Sequence, residues 1–157
     1  MAKCDAMVTV DKNFHVREQD RIRKFGANAH VAIADKAIVI PNVTYWNFAY
    51  GLEGLALGAG MLAGSNSGFA AFNLAVQLGY TDIALLGFDY KWDGGRSHFH
   101  EGYNQRRTVE RNLKAWARAY DHAAQQTATM GITVTNFVGP MGSNLKAYPT
   151  APLSDLL

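Results

Sequence analysis

One cysteine, Cys4, stands in 157 residues. A single thiol forms no internal disulfide, so the stapled scaffolds of small secreted domains are excluded and a reducing compartment is expected. Proline is nearly as scarce, at four, too few for a Pro-rich linker. Neither sign of charge dominates. Fifteen basic residues against thirteen acidic ones leave a net +2. That balance lacks the concentrated basic stripe of a nucleic-acid-binding domain, so no nucleic-acid partner is expected. No apolar run is long enough for a bilayer. The nearest, Leu52 to Ala63, is Gly-rich, is interrupted by Glu53 and falls short of the ~20 apolar residues a spanning helix requires. No apolar signal region follows Lys3 and Asp5. The expectation is a cytoplasmic protein with no membrane span, free of repeats and low-complexity tracts.

What is present suffices for a core. Hydrophobic residues make up 48% and charged residues 18%, the composition of a globular chain. At ~100–200 residues per domain the length predicts a single domain over 1–157. Ala6 to Val10 reads as a buried strand and Phe14 to Phe25 as a surface helix stopping at Gly26. Val31 to Ala34 and Ala37 to Ile40 are apolar runs that fit either a hairpin or a strand followed by an irregular extended piece. Val43 to Tyr50 is rich in aromatics, and Tyr45 and Trp46 read as core rather than as a base-stacking pair. From Gly51 to Gly68 the chain holds six glycines. Phe69 to Leu78 is a helix whose only polar members are Asn73 and Gln77, apolar on nearly every side and therefore buried on more than one. Ser67 is its expected N-cap. Ile83 to Leu86 has the continuous apolar pattern of a central parallel strand. A long helix begins near Arg106, with Val109, Leu113, Trp116, Tyr120, Ala124 and Thr127 in helical register, and Ile132 to Thr135 is a further strand. Strands alternating with helices predict an α/β fold: a three-layer, Rossmann-like, open and mostly parallel sheet.

In such sheets ligands sit beyond the carboxyl ends of the strands. The rule selects Asp11 to Asn13, Gly87 to His100 and the turn after Val134. It also draws in the turn Gly64-Ser65-Asn66-Ser67-Gly68, where free N–H groups at a helix start favour an anion. An ordinary N-cap explains the same residues equally simply. The turn is neither a Walker A loop nor G-x-G-x-x-G. Asp89 follows a strand, where a carboxylate serves a ribose hydroxyl, a metal or a reacting proton, or caps its own turn. His98 and His100 alternate along an extended segment and so share one side. With Asp89 or Asp93 they fit a divalent metal, or one of them a general base. His15, His30 and His122 fall on helix or strand patterns and read as structural or solvent-facing. Arg106, Arg107, Arg111 and Lys114 form a basic helix face, usually a solvated surface.

The run Gly64-Ser-Asn-Ser-Gly-Phe-Ala-Ala-Phe-Asn-Leu-Ala-Val-Gln-Leu-Gly-Tyr-Thr-Asp-Ile-Ala-Leu-Leu-Gly-Phe-Asp-Tyr90, followed by Ser97-His-Phe-His100, resembles a known pattern. It is similar to small phage and prophage proteins related to bacterial CMP-sialic-acid sialyltransferases and to the 6-hydroxymethylpterin diphosphokinase-like family. The closing residues Ser143-Asn144-Leu145, Tyr148-Pro149 and Leu153 resemble that family's last segment. The likeness covers residues 5–157 and is most specific over 64–100. It implies a Rossmann-like sheet that binds a nucleotide or nucleotide-sugar, with Ser65, Asn66, Ser67, Gly68 and Gly87 at the nucleotide. It implies Asp89 at the site's edge and a base at His98 or His100; the cofactor is left open, a divalent cation with a nucleotide diphosphate being one candidate. Family members open with a strand and a Gly-x-Gly-Pro-Ser turn on the phosphates. No Gly-Pro-Ser occurs in this chain. The expectation is a sheet trimmed at its N-terminus, whose exposed edge favours a homo-oligomer.

Two functions follow. One is a glycosyltransferase-like enzyme using a nucleotide-activated donor, acting in the host cytoplasm if phage-encoded. The other is a non-catalytic phage accessory protein that binds a nucleotide or a host protein.

Overall fold

The structure, a computed structural model, describes residues 5–33, 38–64, 66–91 and 106–156. Its contacts resolve two compact units, Met1–Gly79 and Tyr80–Leu157. All the strand ladders of both are parallel, which gives the open parallel α/β arrangement expected from the alternation of apolar runs and helices.

The first unit is a four-stranded sheet in the order β1 (Met7–Thr9), β2 (Ala29–Ala32), β3 (Thr44–Ala49), β4 (Met61–Ala63). Two short helices, α1 (Lys12–Arg17) and α2 (Gln19–Phe25), connect β1 to β2, and α3 (Ser67–Gln77) follows β4. Side chains alternate across a strand, and the core divides accordingly. Ile22 of α2 packs with Ala29 and Ile40, joined by Met7 and Phe14. Leu74 of α3 packs with Ala32 and Leu62, joined by Val8 and Trp46. Neighbours Met7 and Val8 thus serve opposite faces, and this sheet has helices on both. Fully burying a side chain such as Ile22 or Leu62 contributes roughly 1.5–3 kcal/mol.

The expected single helix over 14–25 is two helices broken at Glu18, and it stops before Gly26. The hairpin alternative for 31–40 does not form. β2 is flanked in parallel by β1 and β3, and residues 38–40 belong to no strand. Ile40 is placed in the core and its N–H donates to the Tyr45 hydroxyl at 2.8 Å. Helix α3 matches its pattern. It buries Phe69, Ala70, Phe72, Asn73, Leu74 and Val76.

The second unit is a three-stranded sheet in the order β5 (Asp82–Leu86), β6 (Thr133–Val138), β7 (Thr150–Pro152), with α4 (Arg106–Thr129) between β5 and β6. Within this sheet the middle strand is β6, and β5 has β6 as its partner. The apolar run 83–86 predicts a central strand, yet Leu86 is 50% exposed and only Leu85 is buried. Helix α4 buries Leu113, Ala117, Tyr120, Ala123 and Thr127, the i, i+4, i+7 stripe of an amphipathic helix. Lys114, Arg118 and Asp121 are exposed. Among the described residues no helix is long and apolar enough to cross a membrane.

Candidate functional site

Parallel strands place the candidate residues at strand ends, and each unit has its own set. In the first unit β1 runs into Asp11. The Asp11 carboxylate accepts the Phe14 N–H at 3.0 Å and caps α1. A carboxylate at the end of a strand thus serves the helix that follows.

The turn before α3 is built around Gly64 and Asn66. The N-cap is Asn66, one residue before the expected Ser67, and its Oδ1 accepts the Phe69 N–H at 3.0 Å. Asparagine caps well because its short side chain reaches the free N–H groups of the first turn. Ser67 is left for another purpose. Its hydroxyl accepts the Val10 N–H at 3.2 Å, tying the start of α3 to the carboxyl end of β1. Gly64 has φ +146°, and a Cβ there would lie 3.1 Å from both the Ala70 N and the Asn66 O. Only glycine lets the chain turn this close to the helix. Gly68 is half-buried in the first turn.

The same unit explains its polar core groups. Asn73 is fully buried. Its Oδ1 accepts from Ala56 N (3.1 Å) and Ala63 N (2.8 Å), and its Nδ2 donates to Ala56 O (3.0 Å). The Gln77 amide donates to Ala56 O at 3.0 Å and to the Met61 carbonyl. These two residues, the polar exceptions on an apolar helix, hold the glycine-rich 54–63 segment. His15 and His30 are structural, as expected. His15 Nε2 lies 3.0 Å from the Tyr45 hydroxyl, and the Trp46 indole donates to His30 Nδ1 at 3.1 Å. Burial pushes both imidazoles below the ordinary value of 6.5.

In the second unit β5 ends at Gly87, which adopts φ +76° and turns the chain into Phe88, Asp89 and Tyr90. Tyr90 itself has φ +48°, uncommon for a bulky residue and held only where surroundings fix it. Here they do. The rings of Phe88, Tyr90 and Tyr120 lie within 5.9–6.1 Å of one another, and Tyr120 meets Tyr148 at 6.2 Å. The Tyr90 and Tyr120 hydroxyls are 3.1 Å apart. The backbone is held as firmly. The Ser143 hydroxyl donates to Phe88 O (2.6 Å) and lies 3.1 Å from Asp89 O. Asn144 N donates to Asp89 O (2.7 Å), and Asn144 Nδ2 to Tyr90 O (2.7 Å). Three successive carbonyls of the strand-end turn are therefore taken up by two residues of the loop after β6. The Lys91 ammonium donates to the Met141 carbonyl in the same loop. Burial pushes the Tyr148 phenol up to about 12 and that of Tyr120 well above its usual range, the nearby Tyr90 adding to the second shift. Both stay neutral at physiological pH and are structural rather than proton-transferring groups.

The anchoring fixes the backbone of Asp89. Its carboxylate is half-buried and makes no hydrogen bond or ion pair among the described residues. Asn66, Ser67 and Gly68 come together at the start of α3, and Gly87 and Asp89 at the end of β5. Ser65, His98 and His100 lie outside the described residues, as do Asp93 and the side chains of Arg106, Arg107 and Arg111. Among the described residues no three His, Cys, Asp or Glu side chains form a metal-binding group. Ser143 and Asn144 enter the sequence reading only through the resemblance of the closing segment, without a site role, because a Ser-Asn pair in a loop has no helix start or strand end beside it.

A groove of about 480 Å³ borders this anchored loop, lined by Lys114, Ala117, Arg118 and Asp121 of α4 with Asn144 and Lys146. No protein-family model matches the chain, and no curated protein or solved structure matches it either.

Proposed function

We propose that this protein binds a nucleotide or nucleotide-sugar and acts as a glycosyltransferase-like transferase. The observation that carries this reading is the Ser67–Val10 hydrogen bond. It holds a helix N-terminus against the carboxyl end of a parallel strand, where open α/β sheets receive phosphorylated ligands. Asp89, at the end of β5, would orient the donor. In the reaction the bond between the donor's sugar carbon and its phosphate oxygen breaks, its electron pair staying on the phosphate. A bond forms from that carbon to the acceptor oxygen, and the acceptor's proton passes to a base, for which the reading names His98 or His100.

A second reading, a non-catalytic phage accessory protein, is favoured by Asn66 and Asp11. Asn66 Oδ1 and Asp11 Oδ1 are each engaged in capping a helix. In either case the reading takes the protein as cytoplasmic and self-associating. A strict monomer by light scattering at high concentration removes the self-association.

The test is thermal stability against CMP, CDP, UDP and GDP, each with and without Mg²⁺ or Mn²⁺. A site ligand at 100 times its Kd adds about 2.7 kcal/mol. Asp89→Ala weakens that binding. Replacing His98 and His100 together with Gln spares binding and lowers turnover by ~10²–10⁴-fold. Binding without turnover selects the accessory protein, and no shift with any nucleotide removes the transferase and leaves an accessory protein whose partner is a host protein.

A further inference from the structure

Among the described residues two groups of charges on helical surfaces stand in contrast. Around Val16–Arg21, in a hollow of about 450 Å³, the cations are neutralised locally. Arg17 and Arg21 both bind the Glu18 carboxylate, at 2.9 and 3.3 Å, and Arg23 binds Asp20 at 3.0 Å. The α4 groove is different. Lys114, Arg118 and Lys146 are exposed on its walls and make no ion pair among the described residues. Asp121 lies three residues from Arg118, a spacing at which helix side chains meet, and the two do not pair. Lys114, Ala117, Arg118 and Asp121 follow i, i+3, i+4, i+7 and so line one face, with the small Ala117 forming the floor between the longer chains. The opposite wall is held in place, because Asn144 is bonded to Asp89 and Tyr90 through both its backbone and its side-chain nitrogen.

We propose that this groove is a binding site for a phosphorylated sugar, independent of the nucleotide reading. Three cations that make no ion pair among the described residues, set around a concavity, attract a dianionic phosphate, and the arginine fork matches its oxygens. One carboxylate within the cationic ring does not suit a polyphosphate. It suits a ligand with hydroxyls beside its phosphate, which Asp121 can accept from. The Asn144 side-chain oxygen is a second acceptor, since only the nitrogen of that amide is engaged. The volume is within the range of small-ligand sites. A nucleic-acid strand is disfavoured, because it would track a longer stripe than three cations supply.

Titration calorimetry of the full chain with a panel of hexose 1-phosphates and 6-phosphates, with inorganic phosphate and with the free hexoses, tests the site. At least one hexose phosphate binds several-fold more tightly than inorganic phosphate, the free hexoses do not bind, and affinity falls as salt rises. The double variant Lys114→Glu, Arg118→Glu loses about tenfold or more, while its circular dichroism and melting stay those of the parent, since both side chains are exposed. Asp121→Asn reduces the preference for the ester over inorganic phosphate. The proposal is overturned if no hexose phosphate binds, if inorganic phosphate binds equally well, or if the double variant binds as the parent does. It is also overturned if a labelled single-stranded oligonucleotide binds this face in preference. Nucleotide-induced stabilisation is a separate readout, so failure of either reading leaves the other standing.

Discussion

The Ser143 hydroxyl lies 2.6 Å from the carbonyl oxygen of Phe88, a residue 55 positions earlier in the chain. The Ser143 Oγ also accepts the Leu145 N–H at 2.9 Å, and both Ser143 and Leu145 are buried. One small side chain thus serves a buried donor and a half-buried acceptor. Ser143→Ala leaves both without it, and a buried group left unsatisfied costs about 1–3 kcal/mol. The expected loss is at least about 2 kcal/mol by urea denaturation. A loss below about 0.5 kcal/mol would mean that the loop repacks and that Asp89 is not held through this contact.

Asn73 gives the corresponding test in the first unit. Its amide oxygen serves the N–H groups of Ala56 and Ala63 in a fully buried position. Asn73→Ala removes the acceptor for both and should cost about 3 kcal/mol. Asn73→Asp keeps the acceptors, loses the donor to Ala56 O, and puts a charge where water is excluded. Acidification restores a neutral group with a donor, so the aspartate variant should recover stability relative to the parent as pH falls. If it tracks the parent at every pH, the side chain is not confined as described.

These two networks mark what was legible in the sequence and what was not. Helix α3 is legible because its apolar residues surround it, and β1 and β5 because β-branched and apolar runs end at Asp11 and Gly87; the strand read over Ile132–Thr135 is found as β6 but runs on to Val138. Which residue caps α3 is not, because Asn66 and Ser67 are both good caps and only the position of β1 decides that Ser67 turns to Val10. Within its own sheet β5 is not the middle strand, and its place is not legible for a related reason. An apolar run such as 83–86 reports that a strand forms and not which strands flank it. For the candidate site, sequence locates Asp89 at a strand end. The partners that fix it, Ser143 and Asn144, are more than fifty residues away and share no local pattern with it.

The histidines set a pH dependence. Burial holds His15 and His30 below 6.5, so each binds fewer protons folded than unfolded. Stability then rises with pH wherever the unfolded chain binds more protons. The contribution is complete above the unfolded value of 6.5, declines as pH falls through it, and levels off once the folded imidazoles also protonate. The urea midpoint should be lower at about pH 5.5 than at about pH 7.5. Replacing both histidines with Gln should flatten the difference. Equal slopes in the parent and the variant would assign the effect to other groups.

Asn136 makes the opposite prediction to Asn73. It lies on the middle strand of its sheet, paired with Leu85 on one side and Thr150 on the other, and it is fully buried. Among the described residues neither the nitrogen nor the oxygen of its amide has a hydrogen-bond partner. Burying an amide without partners is unfavourable, whereas an apolar side chain of similar shape in the same space gains from burial. Strand positions also favour β-branched residues. Asn136→Leu or Asn136→Val should therefore stabilise the protein by about 1 kcal/mol, in contrast to the loss that polar-to-apolar changes cause at Asn73. The measurement is a pair of urea unfolding curves with unchanged slope. A loss of stability in both variants would show that the amide has a partner in solution, such as a buried water, and would overturn the description of Asn136 as an unsatisfied group.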